Sequence, residues 1–480
     1  MVKSRVDWIR TSDPLHPMQM RYRAAPPPEP TRKFLSCKRV ANVTAFYKNQ
    51  PIFAKFYLHL MKILLKQVFI ADPLSPHNGF VKDILITNGI IEKIDDEISD
   101  ADERIQFENV FVSTGWIDIF SNFDDPGYEF KETLETGAEA AVAGGYTQVF
   151  TLPNSNPVVH NKSQVEYVVQ KSKSLPLKIL PIGAVTKSCE GKELAEMYDM
   201  YSSGAAAFSD GTAPIQSAGI MVKALQYVKT FDGVIVQMPI DKSIGQFGLV
   251  SEGIISTRLG LPGIPAMAEE LIVARDIKLA QYADSKLHFT GVTTARSLEY
   301  IKRAKDAGLK ITCSVTPYHL FFCDEDLQNY DTNLKVNPPL RSRDDMMALR
   351  EAVKNGLIDC IASHHMPQEW DSKTCEFEYA KNGMLGLQTA FTAVNTVLPE
   401  LSVRHICSLF SLNARRIFNL PLATIAEEQS AELTLFTTDG ESVFTKEEIK
   451  SKSSNSAFIG KSLKGKVIGI YSKGSLILNK

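Results

Sequence analysis

Residues 115–127 read Gly-Trp-Ile-Asp-Ile-Phe-Ser-Asn-Phe-Asp-Asp-Pro-Gly and begin with a strand-like run. Further strand-like runs follow at residues 146–152, 178–183, 234–238, 286–292, 310–315 and 358–362. Each is followed by a polar or Gly/Pro-bearing loop and then a helix-like stretch, such as 266–282 or 295–307. This alternation is typical of parallel β/α units, which either close into a (β/α)8 barrel or form an open doubly wound sheet.

Two β-rich segments flank this centre. Between residues 61 and 112, short strand-like runs alternate with turn signals such as Asn88-Gly89. A matching pattern returns at 431–436 and 465–470. We therefore expect residues 61–112 and 427–480 to build one small composite β-sandwich beside a barrel of residues 113–426.

The first 60 residues do not share these patterns. The apolar stretch 52–71 is interrupted by Lys55, His59, Lys62 and Lys66, which disfavours a membrane span. No secretory signal pattern is present. Residues 1–60 are interpreted as a disordered or spurious N-terminal extension, and a targeting arm is the alternative.

Net charge and cysteine usage indicate which partners and which compartment are expected. The 480 residues carry a formal net charge of −2, which gives no electrostatic reason to expect nucleic acid or an anionic membrane as a partner. The seven cysteines are scattered without C-x-x-C spacing. Such a set is typical of reduced thiols in the cytoplasm and not of a disulfide framework.

Several long motifs resemble those of dihydroorotases, which belong to the amidohydrolase superfamily. Residues 131–147 contain K-E-x-x-x-T-G followed by A-G-G-x-T, and 152–157 are similar to M-P-N-T-x-P. Residues 258–270 and 331–341 resemble a helix-start signature and a loop that contacts substrate. The resemblance covers about residues 61–480. It implies a (β/α)8 TIM-like barrel with its site at the C-terminal ends of the strands.

The same resemblance assigns metal-ligand and substrate positions, and most of them carry other residue types. The stretch 115–127 is similar to P-G-x-I-D-x-H-x-H-x-R-E-P-G, with both histidines and the arginine replaced. Further replaced positions include an aspartate that serves as ligand and general base. The replaced positions are Phe120, Asn122, Asp124, Met238, Gly291, His364 and Gln368. Asp210, at the bridging carboxylate position, keeps its type.

These replacements predict that the family's zinc is not bound, so that no cofactor is expected. An open zinc site needs about three protein ligands, and Asp210 with His364 supplies only two. Asp124 would repel an anionic substrate where an arginine would clamp it. Asn154, Asn337 and Arg341 either contact a small ligand or fix loops, and the sequence does not decide between these roles.

Other polar candidates have structural interpretations. His288 lies on an apolar strand and is expected to be a buried histidine with satisfied hydrogen bonds, and His319 is expected to be structural. His364 and His365 are adjacent on a strand, so that they face opposite sides and do not easily share a metal. Cys360 is interpreted as a buried strand residue.

Three functions follow from these observations. The first is a non-catalytic dihydroorotase-like protein of pyrimidine biosynthesis, oligomeric and cytoplasmic, that acts as a structural or regulatory partner of aspartate transcarbamoylase. The resemblance implies this role because the dihydroorotase family includes inactive members of that kind. The second is an active dihydroorotase with a rebuilt site. The third is a metal-free protein that binds a small molecule in the old pocket.

Overall fold

Residues 116–121 form a strand in which every side chain is buried. The computed structural model describes residues 62–99, 101–106 and 108–479. The interpretation of residues 1–60 concerns a segment outside these ranges.

One sheet is built from both ends of this region. Its strands are β1 (Lys62–Ile70), β2 (Val81–Thr87), β3 (Ile90–Asp95), β4 (Glu103–Gln106), β5 (Phe111–Thr114), β16 (Leu433–Val443), β17 (Ser462–Ser472) and β18 (Ser475–Leu478). The order is β18-β17-β16-β5-β1-β2-β3, and β4 pairs with β1. The N-terminal and C-terminal segments join where β16 pairs antiparallel with β5, with Leu433 opposite Thr114.

A second sheet of eight parallel strands forms the barrel. Its strands are β6 (Trp116–Ser121), β7 (Tyr146–Thr151), β8 (Lys178–Gly183), β9 (Ala207–Phe208), β10 (Ile235–Gln237), β13 (Leu287–Phe289), β14 (Ile311–Val315) and β15 (Cys360–Ile361). The chain after β15 returns beside β6, because Ser121 forms a parallel bridge with His365. The backbone N–H of Asn122 also donates to the His365 carbonyl at 2.8 Å. Two short strands, β11 (Val250–Ser251) and β12 (Gly263–Ile264), pair outside the barrel.

Helices alternate with the barrel strands. They are α1 (Leu134–Ala143), α2 (Lys162–Lys171), α3 (Met197–Ser202), α4 (Ala218–Lys229), α5 (Ile254–Leu259), α6 (Met267–Ala283), α7 (Ala295–Asp306), α8 (Pro317–Phe321), α9 (Arg343–Lys354), α10 (Ala390–Val397), α11 (Val403–Cys407) and α12 (Asn413–Ile417). Several begin at a side chain that accepts a hydrogen bond from the third helical N–H, which satisfies one of the free donors of the first turn. These caps are Thr133, Asn161, Ser217, Thr294 and Ser342.

Trp116 joins the barrel to the composite sheet. Its ring lies 5.1 Å from that of Phe391 and 5.0 Å from those of Phe410 and Phe436. The indole N–H donates to the Ser113 hydroxyl at 3.0 Å. A fully buried tryptophan with its N–H satisfied contributes both apolar area and fixed orientation. The first strand of the barrel is therefore anchored at its N-terminal end, opposite the end where Asn122 and Asp124 follow.

The predicted fold class, a parallel barrel with a small β domain made from both ends, is confirmed. The strand-like runs at 146–152 and 310–315 contain all of β7 and β14, whereas only three residues of 286–292 form β13. Within the part of the chain that the structure describes, no helix is both long enough and apolar enough to cross a membrane.

Candidate active site

The strand ends bring three of the replaced positions into direct contact. The ring of Phe120 stacks on the imidazole of His364, with centroids 4.3 Å apart and planes 28° apart. Gly291 lies against the same imidazole, since a Cβ added at this glycine would stand 2.6 Å from Cε1 of His364. Both Phe120 and His364 are buried. The aromatic pair and the glycine therefore form a packed cluster at the C-terminal ends of the barrel strands.

A run of hydroxyl groups connects His364 to His288 inside the barrel. Nε2 of His364 lies 2.7 Å from the Thr290 hydroxyl, which accepts from the Ser314 hydroxyl at 3.0 Å. The two ring nitrogens of His288 contact Ser314 at 3.0 Å and Thr312 at 2.9 Å. His288 is thus buried with both nitrogens satisfied, as the sequence predicts. Burial lowers the pKa of both His288 and His364 to about 3, so that both imidazoles are neutral at physiological pH.

Asp210 keeps the carboxylate of the family pattern but is held by its neighbours. Its Oδ1 accepts from the Thr186 backbone N–H at 2.8 Å, and its Oδ2 accepts from the Thr186 hydroxyl. Burial raises the pKa of Asp210 to about 6, although bonds from Thr186 and Cys189 act in the opposite direction. Burial and this carboxylate also raise the pKa of the Cys189 thiol. The Asp210 carboxyl group therefore changes its protonation state close to neutral pH.

Asp124 stands in the left-handed region, with a φ of 50°. Its Oδ1 accepts from the Asn122 amide at 3.0 Å, whereas Oδ2 is buried without a hydrogen-bond partner among the described residues. Burial raises the pKa of Asp124 to about 7. Lys131 lowers this pKa, and the carboxylates of Glu132 and Glu369 raise it further. The arginine position of the family pattern therefore holds a carboxyl group that is about half protonated near neutrality.

Met238 and Gln368 complete the replaced positions. Met238 directly follows β10 and is buried. The backbone N–H of Gln368 donates to the Asn455 side chain at 3.0 Å, and Nε2 donates to the Asn382 carbonyl at 2.8 Å. Gln368 is thereby fixed to loops at the barrel mouth.

Asn154 and Arg341 hold loops. Nδ2 of Asn154 donates to the Asp210 carbonyl at 3.1 Å, and its Oδ1 accepts from the Thr212 N–H at 3.0 Å. Arg341 donates to the Thr293 hydroxyl at 3.1 Å and to the Ile264 carbonyl at 2.9 Å. The sequence left open whether these residues contact a ligand or fix loops, and the hydrogen bonds of both Asn154 and Arg341 are of the loop-fixing kind.

Asn337 and His319 lie near each other, on a loop and on α8 respectively. Asn337 is half-buried at the start of the loop whose Pro338 carbonyl accepts from Nε2 of His319 at 3.1 Å. Nδ1 of His319 contacts the Thr316 hydroxyl at 2.8 Å. His319 therefore has the structural role expected from the sequence.

The donor set does not fit the family's zinc. Among the residues that the structure describes, no three His, Cys, Asp or Glu side chains are grouped so that they could hold a metal ion. Phe120 covers one face of His364, and Thr290 occupies its Nε2. Thr186 contacts both oxygens of Asp210. A zinc ion needs about three protein donors with free lone pairs, and the site offers fewer.

Sequence reasoning missed the buried pair of Glu132 and His365. The Glu132 carboxylate accepts from the hydroxyls of Thr136 and Ser451, from the Lys452 N–H at 3.0 Å, and from Nε2 of His365 at 3.4 Å. This carboxylate ties the loop after β6 to the chain before β17. The K-E-x-x-x-T-G motif was the signal that could have revealed it, since it contains both Glu132 and Thr136.

Comparisons with known proteins identify the family to which this chain is similar. The dihydro-orotase-like family model matches residues 109–297. The dihydroorotase of Syntrophus aciditrophicus (strain SB) is 36% identical over 423 residues, which are 87% of this chain and 99% of that protein. The dihydroorotase of Caldanaerobacter subterraneus subsp. tengcongensis is 40% identical over 412 residues, 85% of this chain and 95% of its own.

Solved structures support the fold alone. The L-hydantoinase (dihydropyrimidinase) from Arthrobacter aurescens superposes with a TM-score of 0.78 at 21% identity, covering 88% of this chain and 97% of its own. The dihydropyrimidinase from Brevibacillus agri NCHU1002 superposes with a TM-score of 0.76 at 18% identity, covering 87% and 95%.

The expectation of a non-catalytic partner of aspartate transcarbamoylase is wrong. Relatives that match over nearly their whole length are named dihydroorotase, and none of these findings points to a partner role. The expectation gave the replaced ligands more weight than the extent of the similarity to named enzymes. By identity and coverage, this chain belongs to the dihydroorotase family.

Proposed function

We propose that the protein is a dihydroorotase, a cyclic amide hydrolase of cytoplasmic pyrimidine biosynthesis that interconverts dihydroorotate and N-carbamoyl-aspartate through a rebuilt site. The observation that carries this proposal is the 36–40% identity to named dihydroorotases over 95–99% of their length. The free cysteines at 313, 360 and 407, all buried, agree with a reducing compartment.

Asp210 is the group suited to hold the proton in this reaction. Hydrolysis adds the oxygen of water to the ring carbonyl carbon, breaks the carbon–nitrogen bond of the ring and delivers a proton to that nitrogen. A general base works best when its pKa lies near the working pH, and the pKa of Asp210 is raised to about 6. The hydrogen bonds from Thr186 orient both oxygens of this carboxylate.

We expect Asp124 to contact the carboxylate of dihydroorotate. With a pKa of about 7 it is protonated in a large fraction of molecules at neutral pH, and Oδ2 has no protein partner among the described residues. A protonated carboxyl group donates one hydrogen bond, which a substrate carboxylate accepts. Lys131 adds positive charge nearby. Binding of the anionic ring is therefore expected to strengthen as the pH falls below about 7.

The experiment is a product assay on chelator-treated protein. Dihydroorotate is incubated with wild type and with Asp210→Asn, and N-carbamoyl-aspartate is quantified by mass spectrometry. Loss of a general base lowers the rate by roughly 10²- to 10⁴-fold. Formation of product by wild type, reduced in the variant, supports the proposal. Folded wild-type protein that forms no product, with or without added zinc, rejects it.

A second candidate is a metal-free protein that binds the same class of ring without turning it over. The packing of Phe120, Gly291 and His364 favours it, because this cluster occupies the place where the family pattern puts metal ligands. Without a metal, water keeps a pKa near 15.7, which makes hydroxide scarce. Calorimetric binding of dihydroorotate without product formation would support this candidate over the enzyme.

A further inference from the structure

The hydroxyl groups between His288 and His364 form a chain with one direction. The Ser314 hydroxyl donates to the Thr290 hydroxyl. A serine hydroxyl carries a single proton, so that the contact between Ser314 and Nε2 of His288 has to be donated by the imidazole. His288 therefore carries its proton on Nε2. Its Nδ1 is an acceptor, and the Thr312 hydroxyl donates to it.

The same reasoning fixes the proton of His364. Thr290 is buried, and its hydroxyl contacts only Ser314 and His364 among the described residues. If Nε2 of His364 donated to Thr290, the Thr290 proton would have no acceptor, and an unsatisfied buried donor is costly. Thr290 therefore donates to Nε2 of His364. The neutral imidazole then carries its proton on Nδ1.

The imidazole ring of His364 is also held in place by its packing neighbours and its backbone. Phe120 stacks on one face, Gly291 leaves room beside Cε1, and the backbone of His364 stands at a φ of 44° in the left-handed region. Such a backbone conformation is uncommon for a residue with a side chain. Nδ1 forms no hydrogen bond with a described residue and is not among the buried atoms that lack a partner, so that it retains contact with solvent. The imidazole thus presents one N–H at the C-terminal ends of the barrel strands, where sites of this fold lie.

We propose that His364 is a hydrogen-bond donor that binds a carbonyl oxygen of the ligand through Nδ1, and that Thr290 is the positioning residue that sets its tautomer. The ligand class rests on the proposed function, since a dihydropyrimidine ring presents amide carbonyl oxygens. The proton position itself rests only on the hydrogen bonds of the barrel. This role differs from that of the aspartate in the family pattern, because a neutral imidazole N–H donates where a carboxylate only accepts.

The tautomer is tested by nuclear magnetic resonance on protein labelled with ¹⁵N-histidine. The His364 signals are assigned by their loss in His364→Asn. We expect a pyrrole-type Nδ1 and a pyridine-type Nε2 in wild type and in Thr290→Ser, which keeps the hydroxyl. In Thr290→Val, which has a similar shape without the hydroxyl, the two tautomers should mix. A pyridine-type Nδ1 in wild type overturns the inference.

Ligand contact is tested in the same sample by adding saturating dihydroorotate. The Nδ1 resonance should shift, and calorimetry should give about tenfold weaker binding for His364→Leu, as expected for one neutral hydrogen bond. His364→Asn places an amide N–H close to the position of Nδ1 and should recover most of the affinity. An unshifted Nδ1 resonance, or equal affinities of the Leu and Asn variants, overturns the proposal. If the resonance shifts but no product forms, the donor role stands and the proposed enzymatic function fails.

Discussion

The imidazole of His364 packs face to face with the ring of Phe120, at a centroid distance of 4.3 Å. In the family pattern these two positions are an aspartate and a histidine that serve as metal ligands. In this protein they contact each other directly. A change at either position therefore alters the surroundings of the other.

Gly291→Ala should lower the free energy of unfolding by about 2–4 kcal/mol, because the new Cβ meets His364 at 2.6 Å and the backbone stands at a φ of 67°. Chemical denaturation measures the change. Gly308→Ala is the matched control, since its φ is 75° but no atom lies within 4 Å of the added Cβ. Equal losses in the two variants would show that the contact with His364 has no energetic weight.

Phe120→His with Asn122→His should not create a stoichiometric zinc site. Two imidazoles alone do not hold zinc, and Asp210 remains engaged by Thr186 while Gly291 supplies no side chain. Elemental analysis of the purified double variant, beside wild type, gives the metal content per chain. One chelator-sensitive zinc ion per chain in the variant would mean that Asp210 leaves Thr186 or that other side chains move in to complete the site.

Asp124→Asn should stabilise the protein more at pH 8 than at pH 5. The folded pKa of Asp124 is raised to about 7 from its ordinary value of 3.8, so that the native state binds more protons than the unfolded state between these values. The contribution of Asp124 to stability is then highest below about pH 4 and falls as the pH rises towards 7, by at most about 4 kcal/mol. Asparagine removes this titration and tolerates the positive φ. Thermal melts of wild type and variant at both pH values test the difference, and an equal shift at both would contradict it.

Glu132→Gln should destabilise the protein by about 2–4 kcal/mol, because the carboxylate accepts from four donors in a buried position. Burial acts to raise the pKa of Glu132, but interactions with His365, Ser451 and Thr136 hold it below its usual value. Its contribution is therefore present above about pH 4.5 and is lost as the pH falls further. Ser451→Ala, which removes one donor, serves as the control and should cost about 1 kcal/mol. A Glu132→Gln variant as stable as wild type would show that this link is dispensable.

The architecture was predictable because local sequence patterns indicate its strands and helices. Alternating strand-like and helix-like stretches locate the barrel, and the position of 115–127 at its first strand follows from resemblance. The hydroxyl chain was not predictable, since Thr290, Ser314 and His288 come from neighbouring strands and their contact depends on the register of β13 with β14. The two hydrogen bonds from Thr186 to Asp210 could not be predicted either, because 24 residues separate Thr186 from Asp210 in the sequence. Function was predicted wrongly, since replaced ligands in a sequence do not reveal what the remaining groups do together.

The initial rate of dihydroorotate ring opening, measured side by side on chelator-treated wild type and Asp210→Asn, decides whether this protein is a hydrolase that uses Asp210 as its base. We expect a rate above background for wild type and a decrease of roughly 10²- to 10⁴-fold in the variant, with both proteins equally folded by circular dichroism. A wild-type rate at background, or the same rate in both proteins, would rule out this function for Asp210.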